Sequence, residues 1–573
     1  MNKTLKVNVK TGELEFGTIA EKYRNHGMRG LTTRYVFDEV PPKCDPLGPE
    51  NKMIIATSTL AGTSFTPSGR ISVGGKSPLT GTIKESSAGG MLGVIMASHG
   101  LKAIMFEDIP AEDNWKILHI DTEGKAALID AADYMGLGTY GTVEKAMEQY
   151  GKKIAVAAIG PAGEMLYRYA AIMVSEFGDE GHPCRAVGRG GMGALMGSKK
   201  IKAIIIERST TKPEVKYADK EKFDAARKRY VEVSKTCPRS LRMREIGTPS
   251  MMDVTVPLGY IPRRNFSGLP LDDEQKQSFN SAEWLKGTTA AGGRPGVPCH
   301  QGCIVACSNI VYDKEGKFLT AGYEYETIAM LGPNIELYDF FKTAKLDFLC
   351  DDIGVDTVEA GCVMGVCMEA GKIEWGDGDA VEAALDEMRR GTEFGRLLGQ
   401  GTQAVGEALG VKRIPAIKGQ GIPAYDPRGF KGNGINYAVS TQGADHTWGM
   451  LPIPTLTDEQ IPPMANAASI ASAAANEYIC GFSAGPTAID TTIIPDLYEG
   501  LLGGEWSQEK FQEIGKETLK IERMFNEAAG FTAEDDKMPE FFREEGPEGS
   551  LPPFPFTDEV MQKGINSIYT YKK

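Results

Sequence analysis

The stretch Cys299-His-Gln-Gly-Cys303-Ile-Val-Ala-Cys307 places three cysteines at positions i, i+4 and i+8. Thiolate is a preferred ligand of soft metals and of iron–sulfur clusters, so three thiolates in one loop can reach neighbouring corners of a small inorganic core. The alternative is a stripe of buried cysteines on one helix, because free cysteine is among the most buried residue types. Pro298 and Gly302 argue against such a helix, and the spacing therefore predicts ligands of a [4Fe–4S] cluster.

A [4Fe–4S] cluster needs a fourth cysteine from elsewhere in the chain. The candidates are Cys350, Cys362, Cys367 and Cys480. Cys362 and Cys367 lie in a run of small residues at helical spacing, which is typical of core positions. Cys480 is followed by Gly481 and Phe482 in a loop-like setting, so we favour it and leave the other candidates open.

Composition excludes several classes of function. The chain has 573 residues, enough for about three or four domains, and 41% of them are hydrophobic. A net charge of −14 argues against nucleic acid as the main partner. No run of 18 apolar residues predicts membrane insertion, and no secretory signal is visible. Ten cysteines without such a signal predict a reducing, cytoplasmic location.

Short β-branched runs in the first half of the chain predict strands, and helical spacing dominates later. The predicted strands are 52–57, 102–106, 153–159 and 201–206, and the clearer helices are 340–352 and 380–390. These patterns predict an α+β protein with a β-rich N-terminal domain followed by two mainly helical domains. The predicted boundaries are 1–208, 209–420 and 421–573.

Three glycine-rich loops carry backbone N–H groups or arginines suited to an anion such as a phosphate. They contain Arg70, residues 86–90 and Arg189. The alternative is tight turns with solvated arginines. Residues 188–193 also satisfy the dinucleotide pattern G-x-G-x-x-G, but residues 180–185 do not resemble a buried strand, so a Rossmann site is not predicted.

Acidic residues and one histidine are further candidates. The motif Asp351-Asp-Ile-Gly-Val355-Asp356 follows a predicted helix and is suited either to binding a heterocycle or to capping helices. Glu324-Tyr-Glu326 precedes a predicted helix. The alternative is an acidic first turn, since the helix dipole stabilises carboxylates at a helix N-terminus. His446 has glycine and tryptophan neighbours, as in a pocket wall, although a lone histidine is more often structural.

Taken together and in this order, the segments resemble the aldehyde:ferredoxin oxidoreductase family of tungsten–pterin enzymes. The resemblance covers nearly the whole chain and rests on an ordered set of motifs. These are residues 45–51, 77–81, 159–164 and 188–199, the cysteine triplet, Glu324-Tyr-Glu326, residues 351–356, Tyr425-Asp-Pro-Arg428, His446 and Cys480-Gly-Phe482.

The resemblance implies that the N-terminal domain cradles two pterin dithiolenes, whose four sulfurs hold the metal. By the same resemblance, the residues that would contact the pterins and their phosphates are Arg70, Ser87, Gly89, Gly90, Arg189, Gly190, Asp351, Val355 and Asp356. Cys299, Cys303, Cys307 and Cys480 would bind the [4Fe–4S] cluster. Glu326 would act as general acid and base, and His446 would hydrogen-bond the substrate oxygen.

The implied reaction is oxidation of an aldehyde, with electrons passed through the cluster to ferredoxin or to an iron–sulfur partner subunit. Tungsten is the expected metal and molybdenum the alternative, with magnesium between the pterin phosphates as a further candidate. An oligomer or multi-subunit complex is a further expectation. The alternative functions are the catalytic subunit of an aromatic-ring (benzoyl-CoA type) reductase and, more remotely, a non-catalytic [4Fe–4S] electron-transfer protein.

Four features depart from the family pattern. The first two cysteines are spaced C-x3-C, where the family commonly has C-x2-C. The second pterin motif, residues 475–480, has Ala475 and Tyr478 where the family has aspartate and glycine. Ser87 stands where some members place a magnesium-binding asparagine. The chain also lacks a Glu-x-x-His pair, so the subunit-bridging iron of some members is not expected.

Overall fold

The computed structural model describes residues 2–211, 213–546 and 551–572. The strands are β1 (Lys3–Asn8), β2 (Leu14–Thr18), β3 (Met53–Thr57), β4 (Ile71–Lys76), β5 (Ile83–Ala88), β6 (Leu101–Glu107), β7 (Lys116–Ile120), β8 (Ala126–Asp130), β9 (Ile154–Ala158), β10 (Ile172–Val174), β11 (Arg185–Val187), β12 (Ile201–Glu207), β13 (Arg294–Val297), β14 (Ser308–Tyr312), β15 (Phe318–Ala321), β16 (Ala416–Ile417) and β17 (Gln420–Gly421).

The helices up to residue 409 are α1 (Met28–Glu39), α2 (Leu92–Ser98), α3 (Thr139–Tyr150), α4 (Pro161–Glu164), α5 (Met192–Ser198), α6 (Lys220–Thr236), α7 (Pro238–Glu245), α8 (Met252–Leu258), α9 (Asp273–Ser278), α10 (Ser281–Ala290), α11 (Tyr325–Met330), α12 (Phe340–Ile353), α13 (Thr357–Glu369), α14 (Gly378–Arg390), α15 (Glu393–Leu398) and α16 (Thr402–Leu409). Those that follow are α17 (Lys431–Val439), α18 (Ile461–Ala475), α19 (Gly485–Ile489), α20 (Ile493–Leu502), α21 (Gln508–Ala529), α22 (Phe541–Glu544) and α23 (Asp558–Ile565).

Two six-stranded sheets form the N-terminal region. Their strand orders are β2-β1-β6-β3-β4-β5 and β11-β10-β9-β12-β7-β8. Most neighbouring strands are antiparallel, but β1 pairs with β6 and β12 pairs with β7 in parallel. The edge strands β5 and β11 lie next to each other, with the loop after β5 against the start of β11 and the loop after β11 against the start of β5.

Both large sheets share one hydrophobic core. Leu5 and Val7 on β1 and Ile204 and Ile206 on β12 are fully buried in the same cluster, together with side chains of α2 and α5. Burying one such side chain contributes about 1.5–3 kcal/mol. Because α2 follows the loop after β5 and α5 follows the loop after β11, this packing fixes the positions of both loops.

Helices dominate after β12, as the sequence predicts. The predicted helices at 340–352 and 380–390 correspond to α12 and α14. The predicted fold class, a β-rich N-terminal region followed by mainly helical regions, is confirmed; the boundaries at 208 and 420 stay predictions. Among the described residues, none of the helices combines the length and the apolar composition needed to cross a membrane.

The setting of residues 188–193 differs from the prediction. The short strand β11 precedes this glycine-rich loop, although no strand was expected there, and the seven-residue α5 follows it. A three-residue strand is too short to show a hydrophobic pattern in the sequence. β11 is an antiparallel edge strand, so the loop still lacks the parallel βαβ setting that a dinucleotide site requires.

Candidate active site

The cysteine triplet lies on the loop between β13 and β14. The Sγ atoms of Cys299 and Cys303 and a ring nitrogen of His300 lie within 4.8 Å of one another. Cys299 and Cys307 are buried, whereas Cys303 is partly exposed, and none of the ten cysteines forms a disulfide. Several free thiols on one short loop match the donor chemistry of an iron–sulfur cluster.

Arg70 contacts both Cys480 and Ser87, at the end of β5. Its Nη1 lies 3.8 Å from the Sγ of Cys480, and its Nε and Nη2 donate hydrogen bonds to the hydroxyl and the carbonyl of Ser87, at 3.0 and 2.9 Å. Burial lowers the pKa of Arg70, but the nearby thiols of Cys480, Cys299 and Cys307 raise it above its usual value. Cys480 is therefore on the same side of the molecule as the triplet.

The other fourth-ligand candidates lie elsewhere. Cys350 on α12 and Cys362 and Cys367 on α13 are fully buried in hydrophobic clusters. The Cys362 thiol donates to the carbonyl of Ile422 at 3.3 Å. These three cysteines behave as core residues.

The loop after β5 comes into close contact with the cysteines because it contains glycines. A Cβ atom at Gly89 would lie 3.1 Å from the Sγ of Cys299. Gly90 has a φ of +87°, and a Cβ there would lie 2.8 Å from the Ser175 carbonyl. Glycine is the residue that tolerates both the left-handed backbone and the close approach. A group bound by this loop would therefore adjoin the cysteine site.

Arg189, in the loop after β11, is buried and holds several partners at once. Its Nε donates to Asp356 at 3.0 Å, and Nη2 approaches Glu359 at 3.3 Å. It also donates to the carbonyls of Gly421 and Ala444, both at 2.7 Å. A planar guanidinium suits such multiple acceptors. Two residues predicted to bind pterin, Arg189 and Asp356, are thus in direct contact.

Gly190 allows the backbone beside Arg189 to pack tightly. Its φ is +83°, and a Cβ there would lie 2.6 Å from the Lys84 side chain. Its carbonyl accepts a hydrogen bond from the Ser77 hydroxyl at 2.7 Å. Residues 77 and 190, which belong to two of the sequence motifs, therefore meet in space.

The motif at residues 351–356 forms the tight connection between α12 and α13. Gly354 is left-handed, and the Asp356 carboxylate caps α13 by accepting from the Val358 N–H at 3.1 Å. Val355 bridges to Ala170, whose carbonyl also accepts from the Gly193 N–H. The motif therefore lies against the Arg189 loop through one shared backbone segment.

Asp351 is buried at the end of α12. Burial raises the pKa of Asp351 well above its usual value, and the neighbouring Asp347 carboxyl raises it further. Burial likewise raises the pKa of Asp347 to about 7. A protonated carboxyl in this position can donate a hydrogen bond.

Glu326, on the first turn of α11, and His446, in a turn after α17, lie side by side. Glu326 Oε1 is 3.4 Å from His446 Nε2. Glu326 Oε2 accepts from the Ala424 N–H at 2.9 Å, which holds that oxygen in place. Within the described part of the chain, Oε1 of Glu326 and Nδ1 of His446 are buried and form no hydrogen bond. Unsatisfied buried polar atoms are costly and are expected where a ligand completes the site.

Two tyrosines surround the Glu326–His446 pair. The Tyr425 ring lies 5.7 Å from the His446 ring, centroid to centroid. Burial, with the Glu326 carboxylate adding to it, raises the pKa of both Tyr425 and Tyr437. The Tyr437 hydroxyl is buried and unpaired within the described residues. The sequence did not single out Tyr437, because a tyrosine in a helix carries no local signal of its surroundings.

Other polar contacts of the site also escaped the sequence analysis. Arg185 Nη1 donates to Glu324 at 2.8 Å, Nη2 donates to Ser308 at 2.6 Å, and its Nε lies 3.5 Å from Glu176. Burial raises the pKa of Glu176 to about 7. The His300 ring contacts Gly69, next to Arg70. The sequence offered one feature that could have identified His300 as a site residue, namely its position inside the cysteine triplet.

Lys84 and Asp445 form a buried ion pair of 2.5 Å beside the site. Burial opposes ionisation of Asp445, but Lys84, Arg189 and His446 together hold its pKa well below the usual range. Asp445 also accepts from the Thr447 N–H at 2.9 Å. These contacts fix the turn that carries His446.

Comparison with known proteins agrees with this arrangement. Two family profiles match the chain: "Aldehyde ferredoxin oxidoreductase, N-terminal domain" over residues 4–208, and "Aldehyde ferredoxin oxidoreductase, domains 2 & 3" over residues 225–572. Tungsten-containing aldehyde ferredoxin oxidoreductases of Pyrococcus furiosus and Thermococcus kodakarensis are each 30% identical, covering 95% of this chain and 92% of the relative.

A more distant relative and a solved structure share the architecture. The WOR-like subunit of an aliphatic sulfonate oxidoreductase from Pyrococcus furiosus is 29% identical over 77% of this chain and 73% of its own length. The active-site complex BamBC of benzoyl coenzyme A reductase has a chain with a TM-score of 0.79 and 19% identity, covering 99% of this chain and 93% of that one. The profiles and the full-length relatives confirm the resemblance found in the sequence: the protein is an oxidoreductase and belongs to the aldehyde ferredoxin oxidoreductase family.

Proposed function

We propose that the protein oxidises aldehydes to carboxylic acids at a tungsten–bis-pterin centre and passes the electrons through a [4Fe–4S] cluster to ferredoxin or an iron–sulfur subunit. The observation that carries the proposal is the pairing of Glu326 Oε1 with His446 Nε2 at 3.4 Å, with buried atoms left free for a ligand. Arg189 ties this pair to the pterin loops, because it donates to the Ala444 carbonyl two residues before His446.

The residues proposed to hold the pterins are Arg70, Ser87, Gly89, Gly90, Arg189, Gly190, Asp351, Val355 and Asp356. They fit an anionic, heterocyclic cofactor because they combine buried guanidinium groups, a close-packed glycine loop and a carboxyl whose pKa is raised. When bound, the tungsten–pterin centre supplies the two-electron acceptor for the oxidation. Magnesium between the pterin phosphates, and tungsten rather than molybdenum, stay predictions.

The protein's part in the reaction is to orient the aldehyde and to move protons. Converting an aldehyde and one water to a carboxylic acid releases two protons and two electrons. Glu326 accepts a proton on Oε1, since its Oε2 is already held by Ala424. His446 donates a hydrogen bond to the substrate oxygen. The buried tyrosines Tyr425 and Tyr437 help to exclude bulk water from the pair.

Cys299, Cys303, Cys307 and Cys480 are the proposed ligands of the cluster. Four thiolates are the usual ligand set of a [4Fe–4S] cluster. Arg70 contacts both Cys480 and the Ser87 loop, so its guanidinium spans the cluster site and the pterin site. Held by these four cysteines, a cluster would supply one-electron transfer towards the protein partner. A multi-subunit assembly and a cytoplasmic location stay predictions.

Metal analysis and an activity assay test the proposal together. We expect about one tungsten and four irons per chain, and aldehyde-dependent reduction of a small redox dye. Iron without tungsten or molybdenum would contradict the enzyme assignment. Dye-linked turnover of an aromatic-ring thioester, with none of an aldehyde, would instead favour the ring-reductase function.

A further inference from the structure

Helix α7 packs directly over the cysteine site. Its buried Met243 belongs to one apolar cluster with Val305 and Cys307, against which Cys303 and Phe482 also pack. The helix contacts β13, which leads into the triplet, and the turn at residues 481–483 that follows Cys480. α7 therefore covers both chain segments that carry the proposed cluster ligands.

The outward face of α7 is basic. Arg239, Arg242 and Arg244 are exposed, and Glu245 is the one carboxylate in the helix. Residues 220–245, which include α6, hold nine Lys and Arg side chains and four Asp and Glu side chains, in a chain whose net charge is −14. The α6 cations Lys222 and Arg229 pair with acidic side chains at residues 490–499, so the positive charge over the cysteines belongs mainly to α7.

Two of these arginines lie beside the two segments that carry the cysteines. Arg239 donates a weak 3.4 Å hydrogen bond to the Gly481 carbonyl, next to Cys480. The Arg244 carbonyl would lie 3.4 Å from a Cβ at Gly296, just before the triplet. Neither side chain forms an ion pair with any of the residues 2–211, 213–546 and 551–572, whereas Arg242 pairs with Asp253. The Arg239 and Arg244 charges are therefore available to a partner.

Exposed apolar side chains lie among the arginines. Leu241 on α7 is 41% exposed, and Ile489 on the adjoining α19 is 62% exposed. Arginine around an apolar centre is a common composition for a protein interface, and charge complementarity mainly raises the rate of association.

We propose that the α7 face, formed by Arg239, Leu241, Arg244 and Ile489, is the docking surface for a small acidic iron–sulfur protein of the ferredoxin type. The inference rests on the proposed function, because it assigns the electron exit of the same centre. A helix with its side chains is about 10 Å across, so a carrier on this face stands roughly one helix diameter from the cysteines. Acidic carboxylates on the carrier complement the two unpaired guanidinium groups.

The test uses the holoenzyme carrying Arg239→Glu and Arg244→Glu together. The matched control is Lys372→Glu with Lys412→Glu, which makes the same change in net charge at exposed positions near the ends of α13 and α16. Each protein is assayed with an aldehyde and either an uncharged redox dye or a purified acidic [4Fe–4S] ferredoxin. Binding of the ferredoxin is also titrated directly, without aldehyde.

We expect the arginine variant to keep its dye activity within twofold of the wild type. The KM and the Kd for ferredoxin should rise about tenfold or more at low ionic strength, and the difference should shrink at high salt because salt screens exposed charges. The lysine control should leave both constants unchanged. Equal constants in the arginine variant and the control would overturn the docking surface, as would an equal loss in the dye assay. Failure of the wild type to oxidise aldehydes with the dye would instead contradict the proposed function, and the direct titration would still decide the docking surface.

Discussion

Glu326 Oε1 lies 3.4 Å from Nε2 of His446, although the two residues come from different helical regions of the chain. The backbone N–H of Ala424 fixes the carboxylate, and the Lys84–Asp445 ion pair fixes the turn that presents the imidazole. The pair is thus held by contacts on both sides before any ligand binds. Such preorganisation is what general acid–base catalysis requires.

Replacing Glu326 with glutamine keeps the shape of the side chain and removes its basicity. We expect kcat for aldehyde oxidation to fall by about 10²–10⁴-fold, while tungsten and iron contents stay unchanged. Glu336→Gln is a matched control, because the two side chains are similarly exposed (15% for Glu326 and 16% for Glu336) and Glu336 pairs with Arg263. Unchanged turnover in Glu326→Gln would show that Glu326 is not the general base.

Replacing Cys480 with alanine tests the fourth cluster ligand. We expect the iron content to fall below the roughly four atoms of a [4Fe–4S] cluster, because a three-thiolate site leaves one iron without a protein sulfur. Cys362→Ala serves as the control, since that thiol is buried and donates to a backbone carbonyl. Iron content is measured by elemental analysis. Four irons in Cys480→Ala would show that the fourth ligand is a different residue.

Replacing Arg189 with alanine leaves Asp356 and Glu359 buried without their cation. Breaking a buried ion pair in this way costs about 3–5 kcal/mol, whereas a partly exposed pair contributes about 0–1 kcal/mol. We therefore expect Arg189→Ala to lower Tm far more than Arg413→Ala, whose side chain is 21% exposed. Pterin content should fall only in Arg189→Ala. Equal pterin contents would argue against its assigned cofactor contact.

The buried Lys102, on β6, should make the free energy of unfolding depend on pH. Burial lowers its pKa to about 7, and its ammonium donates to the Thr59 hydroxyl at 3.4 Å. The unfolded lysine keeps its proton up to about pH 10, so unfolding takes up a proton between pH 7 and 10. The contribution of Lys102 to the free energy of unfolding therefore rises with pH between pH 7 and 10, by about 1.4 kcal/mol per pH unit.

We accordingly expect Lys102→Met to raise Tm most at pH 7 and progressively less towards pH 10. Lys84→Met is the contrasting variant: it removes the partner of buried Asp445 and should lower Tm at pH 7. Thermal unfolding of both variants at several pH values measures these effects. A stabilisation by Lys102→Met that does not vary with pH would contradict the low pKa.

Most of the fold could be predicted from local sequence patterns. The strands predicted at 52–57, 102–106, 153–159 and 201–206 correspond to β3, β6, β9 and β12, because a run of buried apolar residues is itself the signal. The short strand β11 was missed, since three residues are too few to show a period. The exclusion of a Rossmann site stands on the antiparallel pairing, which only the sheet order reveals.

The sequence by itself determined which chemical groups the protein has: the spaced thiols, the glycine loops with arginines, and an ordered set of motifs that identifies the family. These are properties of neighbouring residues, and they do not depend on packing. Tertiary structure alone decided which groups meet: Cys480 near the triplet through Arg70, Arg189 on Asp356, Glu326 beside His446, and α7 over the cysteines. The physical reason is that contacts between distant segments depend on the packing of sheets and helices around shared cores, and no local pattern encodes that packing.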